Sequence, residues 1–212
     1  MYLFSRRARL RPGNTRQSLA WATEQTERVA RISGLEVNLW SQVFSPAMGT
    51  LVWAAFVPDL TALEDANDKL MVEDEYLSAI DAGASFFEGP IDDSLHSLLL
   101  GEPNPERDVH YVSAVQAVCA AGQLARGIEV GIAIAEKVEA STGEPTMFAT
   151  ASTGPYGGVA WLTSYTDVAS LERAETAVAA DAELVRYLDE AAGGVYLEDP
   201  WLTTQLCYRR VV

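Results

Sequence analysis

A phrase of sixteen residues occurs twice in this chain and constrains its fold more than any other feature. Residues 49–64 read GTLVWAAFVPDLTALE, and residues 157–172 read GGVAWLTSYTDVASLE. Five of the sixteen positions are identical, where unrelated windows of this length would share about one. The strands and helices predicted around the two copies also follow one order, so the chain is predicted to contain an internal duplication.

The first half is predicted to fold as strand, helix, strand, strand, helix, strand. An apolar and basic run predicts a strand over Tyr2–Leu10, and apolar positions three and four residues apart predict a helix over Thr15–Ser33 that Gly34 ends. Asp59 or Thr61 is placed to cap the next helix. The remaining predicted elements are strands at Leu35–Phe44, Thr50–Val57 and Ser94–Leu100, with an extended or broken helix over 72–88.

The second half is predicted to repeat this order. Its predicted strands are His110–Ala120, Thr146–Ser152, Val159–Thr166 and Thr203–Val211, and its predicted helices are Gln123–Ser141 and Val168–Ala192. The polar, proline-containing segment GEPNPERD lies between the halves. We therefore expect a first module at residues 1–100, a linker at 101–109 and a second module at 110–212.

One βαββαβ module covers one face of its sheet with two helices and leaves the other face without a partner. A tandem copy supplies a second such face within the same chain. The expected fold class is therefore α+β: two tandem ferredoxin-like βαββαβ modules whose antiparallel sheets pack together as an intrachain α+β barrel.

The charge of the chain argues against nucleic acid as a partner. The formal net charge is −15 and the pI is about 4.4, whereas binding to phosphate backbones depends on Lys and Arg. One basic cluster departs from this balance, and it consists of Arg6, Arg7, Arg9 and Arg11. It is interpreted as a solvated strand face or a subunit contact, with an anionic ligand as the alternative.

Neither the cysteines nor the N-terminus indicates export or a metal site. Cys119 and Cys207 form no CxxC pattern, so both are interpreted as buried free thiols and no metal is expected. The opening MYLFSRRARLRPG places arginines where a signal peptide needs an apolar stretch, and no run approaches about 18 apolar residues. We expect a cytoplasmic protein without a membrane partner.

Taken together, these segments resemble the dimeric α+β barrel superfamily of ferredoxin-like proteins. The resemblance rests on MYLFSRRARLRPG as an opening strand and turn, on the tryptophan in the third strand of each half, and on DLTALEDANDKLMVEDEY. The last segment is most similar to the NIPSNAP and antibiotic-biosynthesis monooxygenase branches. The resemblance implies a cavity that holds a small organic molecule or haem.

Among haem-binding barrels, the chlorite-dismutase-like branch supplies a histidine to the iron from its second module, and the haem-degrading branch has a histidine on a helix. Here His110 is the last histidine, it precedes the helices of the second half, and the helix predicted over 60–82 contains none. This departure argues against haem, and the prediction is that the protein uses no cofactor.

Chemistry without a metal requires a base near the substrate proton. His96 and His110 are the candidates for catalytic residues, and the alternative is that each is an ordinary structural or surface histidine. No GxSxG motif, P-loop or dinucleotide fingerprint is present, and GPYGG at 154–158 lacks the spacing and context of a phosphate loop.

Aromatic and polar side chains on the predicted strands could line an apolar ligand pocket. The candidate ligand-binding residues are Trp40, Gln42, Trp53, Tyr111, Trp161 and Tyr165. The alternative is that the aromatic residues only form the core.

Two functional hypotheses follow. The first is a barrel protein that binds a small apolar organic compound, with a cofactor-free monooxygenase or an isomerase as its activity. The second is a non-catalytic assembly protein that uses the barrel for self-association, so a homo-oligomer is an expected state. The sequence leaves open which hypothesis holds and whether the protein is an enzyme.

Overall fold

The computed structural model describes all 212 residues, Met1–Val212, as eight strands and six helices. The Cα positions group into two compact units. Unit 1 contains Met1–Leu95 and Arg209–Val212, and unit 2 contains His96–Tyr208. Residues 96–100 group with unit 2 and residues 209–212 with unit 1, and the module bounds 1–100 and 110–212 stay a prediction.

Unit 1 has helices along one face of an antiparallel sheet. Its elements are β1 (Tyr2–Leu10), α1 (Thr15–Ser33), β2 (Asn38–Val43), β3 (Thr50–Val57), α2 (Leu60–Met71), α3 (Asp74–Gly83) and the first part of β4 (Phe87–Leu100). β1 and β2 both pair with β3, and Trp53 on β3 lies opposite Arg6 and Leu39.

Unit 2 repeats the arrangement. Its elements are β5 (Tyr111–Val118), α4 (Leu124–Thr142), β6 (Thr146–Ala151), β7 (Gly158–Tyr165), α5 (Val168–Ala180), α6 (Ala182–Ala192) and β8 (Thr204–Arg210). β5 and β6 pair with β7, and the end of β4 pairs with β6 so that His96 lies opposite Ala151.

In hydrogen-bonded order the strands are β1-β3-β2-β8-β5-β7-β6-β4, and this order is closed into a barrel. The predicted fold class is confirmed: the protein is an α+β barrel built from two ferredoxin-like modules in one chain. None of its helices combines the length and the apolar character needed to cross a membrane.

The two modules share individual backbone hydrogen bonds as well as element order. The amide of Leu10 donates to Gly49 O at 2.8 Å, and the amide of Cys119 donates to Gly157 O at 2.9 Å. One residue further on, Arg11 donates to Phe86 O at 2.8 Å and Ala120 donates to Val195 O at 2.9 Å. Leu10 and Cys119 are therefore equivalent, and so are Arg11 and Ala120.

The repeated tryptophan holds the same place in both cores. Trp53 packs edge-on against Phe87 with ring centroids 6.0 Å apart, and Trp161 packs edge-on against Tyr196 at 5.5 Å. Each pair lies between its own sheet and its own helices. The phrase that repeats in the sequence thus marks a repeated core contact.

The ends of equivalent helices are also formed in the same way in the two modules. Gly34 and Gly143 end α1 and α4 in the left-handed conformation, with φ of 79° and 73°. Asp59 and Asp167 cap α2 and α5 by accepting the amide hydrogen of the residue three positions on. Of the two caps considered for α2, the structure uses Asp59.

The main differences from prediction lie at three places, and most other bounds shift by at most two residues. β2 begins at Asn38 rather than Leu35, because the pairing with β3 begins there. β4 begins at Phe87 rather than Ser94, because acidic residues in its first half form ion pairs with arginines of β1. The helix predicted over Val168–Ala192 is two helices, since the carboxylate of Asp181 accepts the amide hydrogens of Glu183 and Leu184 and starts α6.

Candidate ligand cavity

A solvent-open surface cavity of about 220 Å³ lies in unit 2 where β5 ends, α4 begins and the β6–β7 hairpin turns. We call it the Cys119 cavity. It is lined by Cys119, Ala120, Ala121, Gly122, Leu124, Ala125, Tyr156 and Gly157. Apart from the Cys119 thiol and the Tyr156 hydroxyl, the lining side chains carry no polar group, so the cavity suits an apolar molecule.

The lining of the cavity differs in sequence from the equivalent turn of unit 1. The turn from β1 to α1 reads LRPGNTR at residues 10–16, and the equivalent turn from β5 to α4 reads CAAGQLA at residues 119–125. Three alanines thus stand where unit 1 has larger side chains. The substituted pairs are Arg11 and Ala120, Pro12 and Ala121, and Arg16 and Ala125.

The backbone of this turn is set by glycine in both units. Gly13 and Gly122 have φ of 107° and 77°, in the region that side chains with a Cβ rarely adopt. The chain therefore turns in the same way at both places, and the two turns differ in their side chains.

The inner wall of the cavity includes Cys119, which is 7% exposed. Its Sγ packs against α4 where Gly127 leaves room, since a Cβ built on Gly127 would lie 2.4 Å from that sulfur. Burial raises the pKa of the Cys119 thiol. The neutral thiol is a weak nucleophile, so the cavity wall favours binding over covalent chemistry.

The outer rim carries Tyr156, which is 90% exposed. It stands at the tip of the β6–β7 hairpin directly before Gly157, whose carbonyl accepts the amide hydrogen of Cys119. The backbone of the tip is thereby bonded to the cavity wall, while the phenol ring projects into solvent. Met48 occupies the equivalent place before Gly49 in unit 1 and is 87% exposed.

The first turn of α4 supplies backbone amide groups to the lining of the cavity. Gln123 precedes this helix, and its side chain makes no capping hydrogen bond. The first amides of a helix have no acceptor within the helix. Those of Leu124 and Ala125, which line the cavity, can donate to an oxygen of a mostly apolar ligand.

None of the residues predicted to bind a ligand lines this cavity. Trp53 and Trp161 point toward their own helices. The indole nitrogen of Trp53 donates to Thr26 Oγ1 at 3.0 Å, and that of Trp161 donates to Gly131 O at 2.8 Å. Their polar atoms are already paired within the cores, and their ligand-binding role stays a prediction.

Trp40 and Gln42 lie on the opposite face of β2 from Leu39, which is buried opposite Trp53. Trp40 is half-buried, and the buried Gln42 donates from Nε2 to Pro46 O. Gln42 thus helps to fix the β2–β3 hairpin.

Tyr111 and Tyr165 are directly opposite each other on β5 and β7. Tyr165 is 4% exposed and shares the helix-facing side of β7 with Trp161. Burial raises the pKa of Tyr165 to about 12, with a smaller contribution from the carboxylate of Glu175. The phenol therefore stays protonated at neutral pH. Binding by Tyr111 or Tyr165 stays a prediction.

His96 is half-buried on β4, directly opposite Ala151 of β6. Phe148 and Trp161 are paired in register, and Trp161 points toward α4. Because side chains alternate along a strand, Ala151 and His96 lie on the sheet face that turns away from the helices. Burial lowers the pKa of His96, so its imidazole is neutral at pH 7 and able to accept a proton.

His110 lies in a different setting. It precedes β5, its ring is 53% exposed, and its Nε2 is 3.0 Å from Asp108 Oδ2. β6 and β7 lie between the strand that carries His96 and β5. The two predicted catalytic histidines therefore belong to separate places in the structure.

The basic cluster on β1 faces carboxylates on β4. Arg6 contacts Asp93 through two hydrogen bonds of 2.7 Å, Arg7 lies 3.4 Å from Asp92, and Arg9 lies 3.1 Å from Glu88. Arg11 donates to Phe87 O at 3.4 Å. These internal pairs favour the solvated strand face over a site for an anionic ligand.

Structural comparison places the chain among known folds. A predicted monooxygenase of Fusobacterium nucleatum matches with a TM-score of 0.71 at 9% identity, over 100% of this chain and 92% of that one. An anthrone oxidase-like protein matches with a TM-score of 0.68 at 12% identity, over 100% and 91%. A NIPSNAP domain protein from Burkholderia xenovorans covers 49% of this chain and 100% of its own, with a TM-score of 0.44 at 11% identity.

The protein thus belongs, by fold, to the ferredoxin-like α+β barrels. Within that class, its whole length corresponds to the monooxygenase-like and anthrone oxidase-like chains. No family model and no curated protein matches the sequence.

The sequence reasoning missed the alanines and Tyr156 of the Cys119 cavity. GPYGG lacks the spacing of a phosphate loop and Cys119 lies in an apolar strand-like run, so neither segment by itself predicts a cavity. The signal was present in the repeat, because aligning residues 10–16 with 119–125 exposes three large-to-small replacements. Taken alone, the three alanines predict nothing, and only the comparison with the equivalent positions of unit 1 distinguishes them.

Proposed function

We propose that the protein binds a small, largely apolar organic molecule in the Cys119 cavity. The observation that carries the proposal is the cavity itself, formed by alanines at positions where the other module has Arg11, Pro12 and Arg16. The monooxygenase-like and anthrone oxidase-like names of the structural neighbours are in keeping with organic ligands, although these neighbours support the fold alone.

Size limits the ligand. A cavity of about 150 Å³ lined by aliphatic and aromatic side chains is enough to bind benzene, and drug-sized ligands occupy about 300–1,000 Å³. The Cys119 cavity, at about 220 Å³, lies between these values. It suits a molecule of about one ring or a short aliphatic chain.

The test is an NMR titration of protein labelled with ¹³C at the alanine methyls, with toluene as the probe. We expect saturable shifts of the Ala120, Ala121 and Ala125 methyls, because these line the cavity. The variant Ala125→Arg places the unit 1 side chain in the cavity and should abolish the shifts.

Two controls make the result specific. Arg16→Ala changes the equivalent position of unit 1 and should leave the toluene response of unit 2 intact. Thermal unfolding of Ala125→Arg establishes that the variant is folded. The proposal is wrong if toluene leaves the three methyls unshifted, or if Ala125→Arg binds toluene as well as the unsubstituted protein does.

Independently of the Cys119 cavity, which His96 does not line, we also propose a catalytic function, a cofactor-free oxygenase or isomerase with His96 as the general base. The supporting observation is a half-buried imidazole whose pKa burial lowers, on the helix-free face of the unit 2 sheet. A neutral base removes a C–H proton from an activated methylene, and the carbanion can then react with O₂ or be reprotonated elsewhere.

Anthrone is the probe for this second proposal, given the anthrone oxidase-like neighbour. Oxidation by O₂ converts the methylene of anthrone to the carbonyl of anthraquinone and releases one water. We expect formation of anthraquinone to be faster with protein than without it, and His96→Gln to remove the acceleration. His110→Gln is the control and should keep it. An equal rate with His96→Gln would rule out His96 as the base.

The alternative of a non-catalytic assembly protein has its own test. Size-exclusion chromatography with light scattering measures the mass in solution, and a chain of 23.0 kDa that self-associates should show a multiple of this value. A monomer at all concentrations would contradict the assembly hypothesis.

A further inference from the structure

We propose that the ligand of the Cys119 cavity contains a single aromatic ring and that Tyr156 folds over it as an aromatic lid. The inference rests on the proposed binding function and adds the chemical class of the ligand and a residue that determines specificity. It is carried by the position and exposure of one side chain.

Tyr156 is the only aromatic residue of the cavity lining; every other lining residue is Cys, Ala, Gly or Leu. These short side chains form apolar walls without a stacking surface of their own. Recognition of a ring rather than of any apolar molecule therefore depends on Tyr156. Aromatic pairs gain from offset-stacked or edge-on contact beyond the area that they bury.

The phenol ring is 90% exposed although Tyr156 lines the cavity. At this exposure the faces of the phenol ring are open to stack on a ligand. A ring seated in the cavity would bury one face of the phenol and leave its hydroxyl in water. Tyrosine has two side-chain torsions, so fixing its position costs little conformational entropy.

The backbone beneath Tyr156 is already held in place. Gly157 O accepts the amide hydrogen of Cys119, and the amide of Gly158 donates to Pro155 O at 3.0 Å. Closure therefore needs rotation of the side chain and no rearrangement of the hairpin. The lid is attached to the same turn that forms the cavity wall.

The duplication supplies a matched control. Met48 holds the equivalent place on the hairpin of unit 1 and is also exposed, but the equivalent turn there carries Arg11, Pro12 and Arg16. Removing the Met48 side chain changes an exposed apolar residue of the same hairpin position without touching the Cys119 cavity.

The experiment compares toluene with methylcyclohexane, a probe of similar size without π electrons, by the alanine-methyl titration. We expect toluene to bind several-fold more tightly. Tyr156→Ala should weaken toluene binding by about three- to tenfold, the range expected for one aromatic pair, and should leave methylcyclohexane binding nearly unchanged. Tyr156→Phe should retain toluene binding, and Met48→Ala should behave as the unsubstituted protein.

The outcomes separate the two proposals. If both probes shift the cavity methyls with equal affinity, or if Tyr156→Ala leaves toluene binding unchanged, the aromatic lid is wrong and the binding function stands. If neither probe shifts those methyls, the binding function is wrong, and the proposal of an aromatic lid is wrong as well. Because Tyr156 is exposed, its substitution is not expected to impair folding.

Discussion

Gly127 of α4 leaves the space that the side chain of Cys119 occupies. A Cβ at this position would lie 2.4 Å from Cys119 Sγ, well inside van der Waals contact, and 3.5 Å from Cys119 Cβ. The sulfur thus occupies the space that glycine leaves. Gly127 is also held from a second side, because the Tyr196 hydroxyl donates to Gly127 O at 2.6 Å. Movement of α4 away from Cys119 would break this hydrogen bond.

Gly127→Ala should destabilise the protein by about 1–3 kcal/mol, the usual cost of overpacking a core. In the Cys119→Ala background most of this loss should disappear, because the remaining Cβ lies at an ordinary contact distance. Urea unfolding of the two single variants and the double variant measures the coupling free energy. Equal losses in both backgrounds would mean that the sulfur is not the obstacle.

His96 predicts a particular dependence of stability on pH. Burial lowers its pKa in the folded protein, so the unfolded chain binds more protons in the range where histidine titrates. Stability therefore falls as the pH decreases below the unfolded-state pKa of about 6.5. His96→Gln should lose less stability between pH 7.5 and pH 5 than the unsubstituted protein does.

The measurement is the free energy of unfolding at the two pH values, with His110→Gln as the control. His110 is exposed and pairs with Asp108, so its removal should leave the loss at acid pH in place. An equal loss in His96→Gln and the unsubstituted protein would show that His96 is not the group that titrates.

Among the elements, those with a strong local pattern could be predicted from the sequence. β1, α1 and β3 have the predicted bounds, since apolar spacing and a glycine cap define them locally. The start of β4 could not be predicted, because its acidic residues are matched by arginines some 80 positions away. The break between α5 and α6 depends on a single capping carboxylate that does not interrupt the apolar pattern.

The β1–β4 charge pairs give a prediction at this scale. Asp93→Asn removes the carboxylate charge and one of the two oxygens that accept from Arg6, and these groups are about half-exposed. The expected loss is about 0.2–1 kcal/mol and should shrink in 1 M NaCl. Asp92→Asn removes one longer contact of 3.4 Å and should cost less. Urea unfolding at low and high salt checks both variants, and equal losses that are insensitive to salt would contradict the assignment.

At the scale of the whole molecule, duplication explains both what could be predicted and what could not. Two copies of one module dictate two sheets of the same topology, and this could be predicted from sixteen repeated residues. The alanines around the Cys119 cavity reflect divergence between the copies, which is visible only when equivalent positions are known. The backbone hydrogen bonds show that Leu10 corresponds to Cys119. Only this correspondence shows that Ala120 and Ala121 stand where the first module has Arg11 and Pro12.

The central proposal is that the second module binds a small apolar ligand in the Cys119 cavity, where alanines replace Arg11, Pro12 and Arg16 of the first module. A crystal structure of the protein soaked with toluene tests it most directly. The account predicts toluene among Ala120, Ala121 and Ala125, with the Tyr156 ring turned over it, and no toluene at Arg11 and Arg16. An unoccupied cavity at saturating toluene, or equal occupation of both turns, would contradict it.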